Sequence, residues 1–442
     1  MNKEFDVIIV GGGMAGATMA LALAPLSLKI AVIEAHPYQQ QETQPSFDDR
    51  CLALSFSSRQ IYTAMGLWPE LEQLKDDGFA AIKHIHVSDQ GHWGVTRIDH
   101  QQEGVEALGY VVESRVIGRM LVEKMSQYPN IKLFCPARIE QLQTNADQVQ
   151  VTLSEEPVSG DSISREPDTA QKSLQLTANL LVIADGVNSQ TRERLGIRVK
   201  QSAYAQTAII CNIETELPHQ GVAYERFTPT GPLALLPLTR KRSSLVWTAD
   251  EAQVDELMHL NDEQFTQLLQ QRFGFRLGNI NKVGRRASYP LSRMSIDNQT
   301  LELCQRIALV GNAAHGVHPV AGQGFNLGLR DIAALTELIA DECPAPLPQQ
   351  KHSHCDCGNE KLLKQYWDWR QADIRQVTTI TDKLIKLFSN NQPILAILRN
   401  SGMILADIIT PLKHMIASQA MGLGALQGKI SKMAAGQSIY KE

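Results

Sequence analysis

The 442-residue sequence has no excess of positive charge and no regular cysteine framework. Lysine and arginine number 42 against 47 aspartate and glutamate, so the formal net charge is -5. A chain without a basic excess cannot neutralise many phosphates, which excludes nucleic acid as the main ligand. The seven cysteines are odd in number and scattered, which predicts reduced thiols in a cytoplasmic protein.

One segment imitates a membrane span. Residues 7–28 contain no charged residue, and that length would cross a bilayer. Three consecutive glycines, however, interrupt the segment after four apolar residues. The N-terminal flank mixes both charges, unlike a signal peptide. We therefore predict a strand, a turn and a helix here.

A Gly-rich unit follows the first apolar residues. The strand FDVIIV precedes Gly11, Gly13 and Gly16 in G-x-G-x-x-G spacing, a helix of small residues follows, and a second strand ends at Glu34. The first glycine permits a tight turn, the second lets a pyrophosphate approach the backbone, and the third packs the helix on the strand. Glu34 is placed to accept from a ribose diol and disfavours a 2′-phosphate, so the unit predicts NAD or FAD.

Two absences narrow that prediction. No second G-x-G-x-x-G stands between a strand and a helix, and Cys355 and Cys357 lie one residue apart instead of forming a C-x-x-C pair. A disulfide reductase would carry a second nucleotide domain and a redox pair. The sequence therefore disfavours that class.

Two further motifs follow predicted strands. Asp185 and Gly186 end the strand in ANLLVIADGVNSQTRERLGI, at 178–197. GNAAHGVHPVAGQGFNLGLRD, at 311–331, follows the strand in RIALVG. Doubly wound sheets bind ligands at the carboxyl ends of their strands, so both motifs are candidates for one site.

Together the three motifs resemble the fingerprints of the class A flavoprotein aromatic hydroxylases, over nearly the whole chain. Residues 47–68 and 381–422 are similar to the ubiquinone-biosynthesis branch, and the late motif is most similar to that of 2-polyprenyl-6-methoxyphenol hydroxylases. The resemblance implies an α/β fold with a Rossmann-type FAD-binding domain, an antiparallel-sheet substrate lobe and C-terminal helices. It also implies non-covalent FAD and an NAD(P)H-dependent monooxygenase that hydroxylates a polyprenylated phenol with dioxygen.

The resemblance assigns roles to particular residues. Asn312 is expected to face a ribitol or ribose hydroxyl, and Asp185 the pyrophosphate region. Arg50 and Pro319 are the predicted catalytic positions, with Pro319 against the isoalloxazine. The predicted cofactor-binding residues are Gly11, Gly13, Gly16, Glu34, Arg50, Arg115, Asp185, Gly186, Gly311, Asn312, Pro319, Gly322, Gln323, Gly324, Phe325 and Asn326.

Alternatives remain open for some of these residues. Arg50 and Arg115 also fit surface positions, and the late loop also fits a Gly-rich cap of the next helix through Asn326. His315 and His318 are expected to be hydrogen-bonded structural histidines. No residue of the sequence identifies a protein base that would help the phenol react.

The alternation of apolar and polar residues suggests a domain plan. The pattern in GPLALLPLTRKRSSLVWTA predicts two strands and a basic turn, that is, a hairpin. Residues 154–173 are polar and are predicted to form a hairpin tip. We expect an FAD-binding domain from 1–75, 105–200 and 300–342, a substrate lobe from 76–104 and 201–299, an inserted polar loop at 343–360 and a helical region at 361–442.

The insert gathers His352, His354, Cys355 and Cys357. Zinc binding is one interpretation, but the cluster is compressed and has no second ligand pair at finger spacing. A solvated loop is favoured, and we predict no metal.

The tail carries apolar residues at helical spacing over 404–416, interrupted by Pro411. One interpretation is a pair of helices packed on the FAD-binding domain. The other is an apolar surface for a prenylated substrate or for the inner face of a membrane, with other quinone-biosynthesis proteins as partners.

Two rival functions fit the same motifs. One is a flavin reductase or oxidase of this fold that acts on a prenyl lipid, and oxygen incorporation into the product would separate it. The other is a flavoprotein scaffold of a quinone-biosynthesis complex, which the replacement of a carboxylate by Asn312 keeps open.

Overall fold

The structure, a computed structural model, describes residues 2–38, 50–73, 78–155, 174–296, 305–317, 322–343, 355–388, 393–424 and 429–440. Its strands are β1 (Asn2–Val10), β2 (Ile30–Ile33), β3 (Cys51–Ser55), β4 (Phe79–Ile82), β5 (His84–Asp89), β6 (Val95–Asp99), β7 (Gly109–Glu113), β8 (Ile131–Phe134), β9 (Ala137–Thr144), β10 (Val149–Glu155), β11 (Leu174–Ile183), β12 (Val199–Thr215), β13 (Val222–Thr228), β14 (Gly231–Pro237), β15 (Arg242–Asp250), β16 (Ile280–Val283), β17 (Ala287–Ile296), β18 (Ile307–Leu309) and β19 (His315–Gly316). Its α-helices are α1 (Met14–Leu23), α2 (Phe56–Ala64), α3 (Trp68–Glu72), α4 (Ser114–Ser126), α5 (Gln190–Arg194), α6 (Glu251–His259), α7 (Asp262–Phe273), α8 (Gln323–Glu342), α9 (Glu360–Phe388), α10 (Pro393–Ile408) and α11 (Thr410–Ala420).

The first sheet contains the parallel strands that the Gly-rich unit predicts. Its order is β8-β2-β1-β11-β10-β9, with β18 beside β11. Strands β8, β2, β1, β11 and β18 pair in parallel, whereas β9 and β10 are antiparallel. The carboxyl ends of parallel strands meet at one edge. The three motifs therefore converge at that edge.

Burial explains why the first apolar segment folds as it does. Val7, Ile8 and Ile9 are fully buried, because side chains cover β1 on both faces. Small residues in α1 let this helix lie close to the sheet and to α8. The predicted strand, turn and helix are confirmed. Within the described ranges, no helix is long and apolar enough to span a membrane.

A second sheet lies beyond the first. Its order is β19-β17-β12-β15-β14-β13-β5-β6, with β16 beside β12, and it is antiparallel except where β5 joins β13. The predicted hairpin is confirmed as β14 and β15. Helices α6 and α7 cover one face, where Trp247 packs against Phe265. A third, small sheet has the order β3-β7-β4. The predicted fold class is confirmed.

The tail forms helices, but α10 does not pack where the first interpretation placed it. It lies on β6 of the second sheet, where Asn400 Oδ1 accepts from Gly94 N at 2.7 Å and Asp407 Oδ1 accepts from Arg97 N at 2.8 Å. Strand β6 is an edge strand, so its free N–H groups need such partners. These bonds explain why α10 covers the second sheet instead of the first.

The prediction of reduced thiols is wrong at one pair. Cys343 and Cys355 form a disulfide across the insert, with Cα atoms 5.3 Å apart. Cys357 is buried, and its Sγ donates to Asp6 O. Of the considered zinc ligands, His352 and His354 lie outside the described residues, as does most of the predicted tip at 154–173.

Candidate cofactor site and the adjoining groove

The Gly-rich turn needs two of its glycines for steric reasons. Gly11 has φ +96°, and a Cβ there would lie 2.7 Å from Ala184 O. A Cβ on Gly16 would lie 1.8 Å from Gly11 O. The helix therefore packs directly on the turn, and the turn on the segment that ends in Asp185. Two of the predicted motifs are thus in contact.

Gly13 stands in open space. A Cβ built there would meet nothing within 4 Å, and its φ of -64° is ordinary. Gly13 is the N-cap of α1, and no side chain from the described residues caps the helix. The first turn contains no acidic residue. Free N–H groups and the positive end of the helix dipole therefore face a space that fits a pyrophosphate.

Glu34 is held at the end of β2 by backbone donors. Its two carboxylate oxygens accept from Gly12 N at 2.7 Å and from His36 N at 2.8 Å. Tyr38 OH donates to Gly12 O at 2.8 Å, and burial together with the nearby Glu34 charge raises the pKa of this phenol. Each carboxylate oxygen keeps a lone pair for a ribose hydroxyl. Sequence reasoning missed Tyr38, which braces the same turn.

Asp185 carries an unused acceptor. Its Oδ2 accepts from Thr191 N at 3.3 Å, but its Oδ1 is buried and has no hydrogen-bond partner among the described residues. Gly186 follows with φ +89°. A buried acceptor of this kind needs a donor, which a hydroxyl of a dinucleotide would provide.

Asn312 is exposed beyond the end of β18, in the short turn Gly311–Ala313. The turn lies close to α8, since a Cβ on Gly328 would be 2.9 Å from Gly311 Cα. No hydrogen bond from a described residue occupies the Asn312 side chain. Its position fits a hydroxyl ligand.

A buried ionic cluster on α8 supports this turn, and sequence reasoning did not find it. Asp331 Oδ2 accepts from Gly311 N at 2.9 Å and lies 2.6 Å from His315 Nε2. Asp331 Oδ1 accepts from Arg370 Nε at 2.6 Å. Burial opposes ionisation, but the charges of His315 and Arg370 hold the pKa of Asp331 below its usual value. The structural role expected for His315 is confirmed, whereas His318 lies outside the described residues.

The N-terminus of α8 is fixed by Asn326. Its Oδ1 accepts from Ser55 N and Ser58 Oγ, and its Nδ2 donates to Ala53 O and Gly322 O. This amide has no bond left for a cofactor, so its side chain positions the helix.

Gly322 begins the helix with φ +62°, and a Cβ there would lie 2.9 Å from Ala53 Cβ. The first turn of α8, which includes Gln323, Gly324 and Phe325, contains no acidic residue. Its N-terminus thus fits an electron-rich ring edge. Pro319 lies outside the described residues.

The two predicted arginines lie in different surroundings. Arg50 is exposed, and its guanidinium lies 5.0 Å from the ring centroid of Tyr289 on β17. Arg115 donates to the fully buried Glu113 at 2.8 Å, and Arg242 donates to the same carboxylate at 2.5 Å. Glu113 therefore links the third sheet to the second. The cofactor roles of both arginines stay predictions.

A groove crosses the front face of the second sheet, opposite α6 and α7. One row of paired residues spans six strands, and all its side chains are half-buried: Val87, Glu225, Ala234, Val246, Ile210 and Ala287. At β13 the residues on either side of this row are covered. Phe227 stacks on Phe388 of α9 with centroids 3.7 Å apart, and Ala223 packs with Val111 of β7. The row is therefore the floor of a groove between two covers.

Strand β3 connects the groove to the cofactor loops. Ala53 contacts the Gly322 position, and Cys51 Sγ lies 4.0 Å from Asn212 Oδ1 on the front face. The open Gly13, the unused Asp185 acceptor and the exposed Asn312 fit a flavin dinucleotide. A flavin site beside this groove defines the class, an FAD-dependent oxidoreductase.

The comparison with known families agrees. Residues 4–345 match the family described as FAD binding domain, and the chain belongs to this family. The family membership confirms FAD as the cofactor.

Two curated relatives cover nearly the whole chain. The ubiquinone hydroxylase UbiL of Rhodospirillum rubrum is 35% identical over 426 residues, which is 95% of this chain and 90% of the relative. The 3-demethoxyubiquinol 3-hydroxylase of Escherichia coli is 31% identical over 428 residues, which is 96% of this chain and 100% of the relative.

Solved structures share the fold at low identity. The p-nitrophenol 4-monooxygenase PnpA from Pseudomonas putida has a TM-score of 0.72 at 15% identity, covering 96% of this chain and 100% of its own. PqsL of Pseudomonas aeruginosa has a TM-score of 0.68 at 20% identity, covering 91% of this chain and 100% of its own.

Proposed function

We propose that the protein hydroxylates the aromatic ring of a polyprenylated methoxyphenol in ubiquinone biosynthesis, with NAD(P)H and dioxygen as co-substrates. The observation that carries this proposal is the half-buried groove on the second sheet, which adjoins the cofactor loops. The names of the relatives, a ubiquinone hydroxylase and a 3-demethoxyubiquinol 3-hydroxylase, support a substrate of this class.

Bound FAD supplies the redox chemistry that activates dioxygen after reduction by NAD(P)H. The protein binds and orients the cofactor. The N–H groups at the start of α1 would hold the pyrophosphate, Glu34 would accept from the ribose, and Asn312 would pair with a hydroxyl between the two ends of the cofactor. The N-terminus of α8 would face the ring, and the covers on both sides of the groove would limit the access of water to it.

Apolar surface near the groove suits a prenyl chain. The groove ends at Val87, which packs with Met403 of α10. On the outer surface of α10 and α11, Leu398 is 62% exposed and Ile408 is 71% exposed. Among the residues whose burial is described, the other exposed apolar ones there are Ile397, Leu405, Ile409 and Met415. Burial of each CH₂ stabilises binding by about 0.8 kcal/mol, so the chain would supply most of the affinity.

The same surface supports a position of the protein at the inner face of the membrane, where polyprenylated substrates partition. We propose a cytoplasmic protein with this peripheral contact. Other quinone-biosynthesis proteins are the further partners that this position would bring near.

Deletion of the gene tests the proposal. We expect a prenylated phenol that lacks one ring hydroxyl to accumulate, and the wild-type protein to restore the quinone. A Gly13→Val protein, expressed equally, is the matched control and should not restore it. Unchanged quinone and unchanged intermediates in a strain without a second hydroxylase would contradict the proposal.

A further inference from the structure

Glu225 is the only ionisable residue in the floor of the groove. Its neighbours in the row are aliphatic: Val87 and Ala234 pair with it directly, and Val246 and Ile210 follow. The adjacent residues, Tyr224 and Arg226, point to the other face, where Tyr224 packs on Phe273. A carboxyl group among aliphatic side chains is costly to bury without a partner. Its presence in the floor therefore suggests a ligand.

No partner within the described residues satisfies this carboxyl group. It makes no hydrogen bond and no ion pair with them, and the residue is half-buried. Burial alone raises the pKa of Glu225 to about 7. This carboxyl group lies in the half-buried row, between the covered Phe227 and Ala223.

The charged groups on the surrounding elements are engaged elsewhere. Asp89 of β5 accepts from Arg399 Nε of α10 at 2.8 Å, and Asp382 of α9 is paired with Arg293 and Tyr204. Arg226 Nε donates to a backbone carbonyl of α7.

Other charged groups on these elements are exposed to solvent or lie outside the row. Lys383 and Lys386 of α9 are exposed, and Arg50 lies over Tyr289, outside the row. A ligand in the groove would thus meet one free acidic group.

We propose that Glu225 binds the phenolic hydroxyl of the substrate and accepts its proton while the ring is hydroxylated. This inference rests on the proposed function. The phenolic O–H bond breaks, its proton passes to a carboxylate oxygen of Glu225, and the electron pair stays on the phenolic oxygen and enriches the ring. When the aromatic product has formed, the proton returns from the carboxylic acid to that oxygen, so Glu225 is regenerated.

A base of this kind acts best when its pKa lies near the working pH, and it contributes typically about 100-fold or more to the rate. Only the ionised carboxylate accepts the proton, so activity should rise with pH through about 7 and then level off.

The test compares the holoenzymes of wild type, Glu225→Gln and Glu140→Gln, with a geranylated methoxyphenol as the probe. Glu140 is an exposed acid on β9 and serves as the matched control. We expect Glu225→Gln to keep its FAD content and its rate of flavin reduction, to lose about 100-fold in hydroxylation at pH 8, and to lose the pH dependence near 7. Glu140→Gln should match the wild type.

A second readout uses no turnover. A geranylated nitrophenol, whose ionisation is visible, is titrated on each holoenzyme without NAD(P)H. Above pH 7 the ionised Glu225 repels the phenolate form of the bound probe. The probe should therefore ionise at a higher pH on the wild type than on Glu225→Gln. Equal titrations together with equal hydroxylation rates would overturn the role of Glu225. Failure of the wild type to hydroxylate any prenylated phenol would overturn the proposed function itself.

Discussion

The two helix N-termini at the cofactor site, those of α1 and α8, are held in place by different means. At α1 the contact is made by backbone, because Gly16 lies against the carbonyl of Gly11. At α8 the contact is made by buried side chains, because Asn326 binds the backbone of Ser55, 271 residues earlier in the chain. The two helices present similar free N–H groups. The first support is local in sequence and the second is tertiary.

This difference teaches which substitutions should separate folding from cofactor binding. At α1 the space for the ligand is empty of protein atoms, so a side chain added there should block FAD without disturbing the fold. At α8 the supporting residues are part of the core, so their loss should lower both the stability of the fold and the affinity for FAD.

The largest effect is expected for Asp331→Ala. The change removes a buried counter-charge from Arg370 and leaves Gly311 N and His315 without their partner. Loss of one member of a buried ion pair costs about 3–5 kcal/mol. Urea unfolding of the apoprotein measures this loss of stability. Asp341→Ala, on the exposed end of the same helix, should change stability by less than about 0.5 kcal/mol. Equal stability of the two variants would show that the cluster does not support α8.

Gly13→Val should act on binding alone. A Cβ at this position meets nothing within 4 Å in the protein, so the apoprotein should unfold at the wild-type urea concentration. FAD affinity should fall at least about 100-fold, or about 2.7 kcal/mol, because the side chain occupies the space for the pyrophosphate. Flavin fluorescence titration measures it. Gly11→Ala is the contrasting variant, since its Cβ would strike backbone atoms of Ala184 and should destabilise the fold. Retention of FAD by Gly13→Val would contradict the assigned site.

Acid should weaken the support of α8 through Asp373. Burial opposes its ionisation, but Arg370 and Arg330 lower the pKa of Asp373 to about 2. A lowered pKa in the folded state gives stability that is complete above about pH 4 and is lost as the pH falls toward 2. One pKa unit corresponds to about 1.4 kcal/mol, so the loss should be about 2 kcal/mol. Urea unfolding measures the free energy of unfolding from pH 5 to pH 2. As the pH falls, this free energy should decrease less steeply for Asp373→Asn than for the wild type. Identical slopes would rule out the contribution of Asp373.

The smallest effect is expected for Asn312→Asp. An exposed carboxylate still accepts from a cofactor hydroxyl, so FAD affinity should change by at most about 1 kcal/mol and stability should not change. Asn312→Leu should weaken FAD binding more, because the hydroxyl would be left unpaired. Asn326→Ala serves as the counterpart, since it leaves buried backbone groups unpaired and should cost about 1–3 kcal/mol of stability. FAD binding by the leucine variant at wild-type affinity would show that Asn312 does not contact the cofactor.

The geometry of the Gly-rich turn could be predicted from the sequence because its supports are neighbours in the chain. The spacing of Gly11, Gly13 and Gly16 is itself the geometry of the turn, and Glu34 ends the adjacent strand. The late motif placed Asn312 at the end of a strand in the same way.

The other side of the site could not be predicted from the sequence. The roles of Asp331 and Asn326 depend on Arg370 and on Ser55, whose proximity arises only when α9 and β3 fold against α8. Glu225 gave no signal either, because its place in the groove depends on the register of six strands. In the insert, Cys343 and Cys355 form a disulfide. The scattered positions of the cysteines in the sequence did not predict this pair.

The most direct test of ring hydroxylation is transfer of ¹⁸O from ¹⁸O₂ to a prenylated methoxyphenol by the purified FAD-loaded protein with NAD(P)H. The expected product carries one ¹⁸O atom in a new ring hydroxyl, in proportion to the NAD(P)H consumed, with the remaining label in water and peroxide. Consumption of NAD(P)H with no label in the phenol would contradict the monooxygenase function and favour a reductase or an oxidase of the same fold.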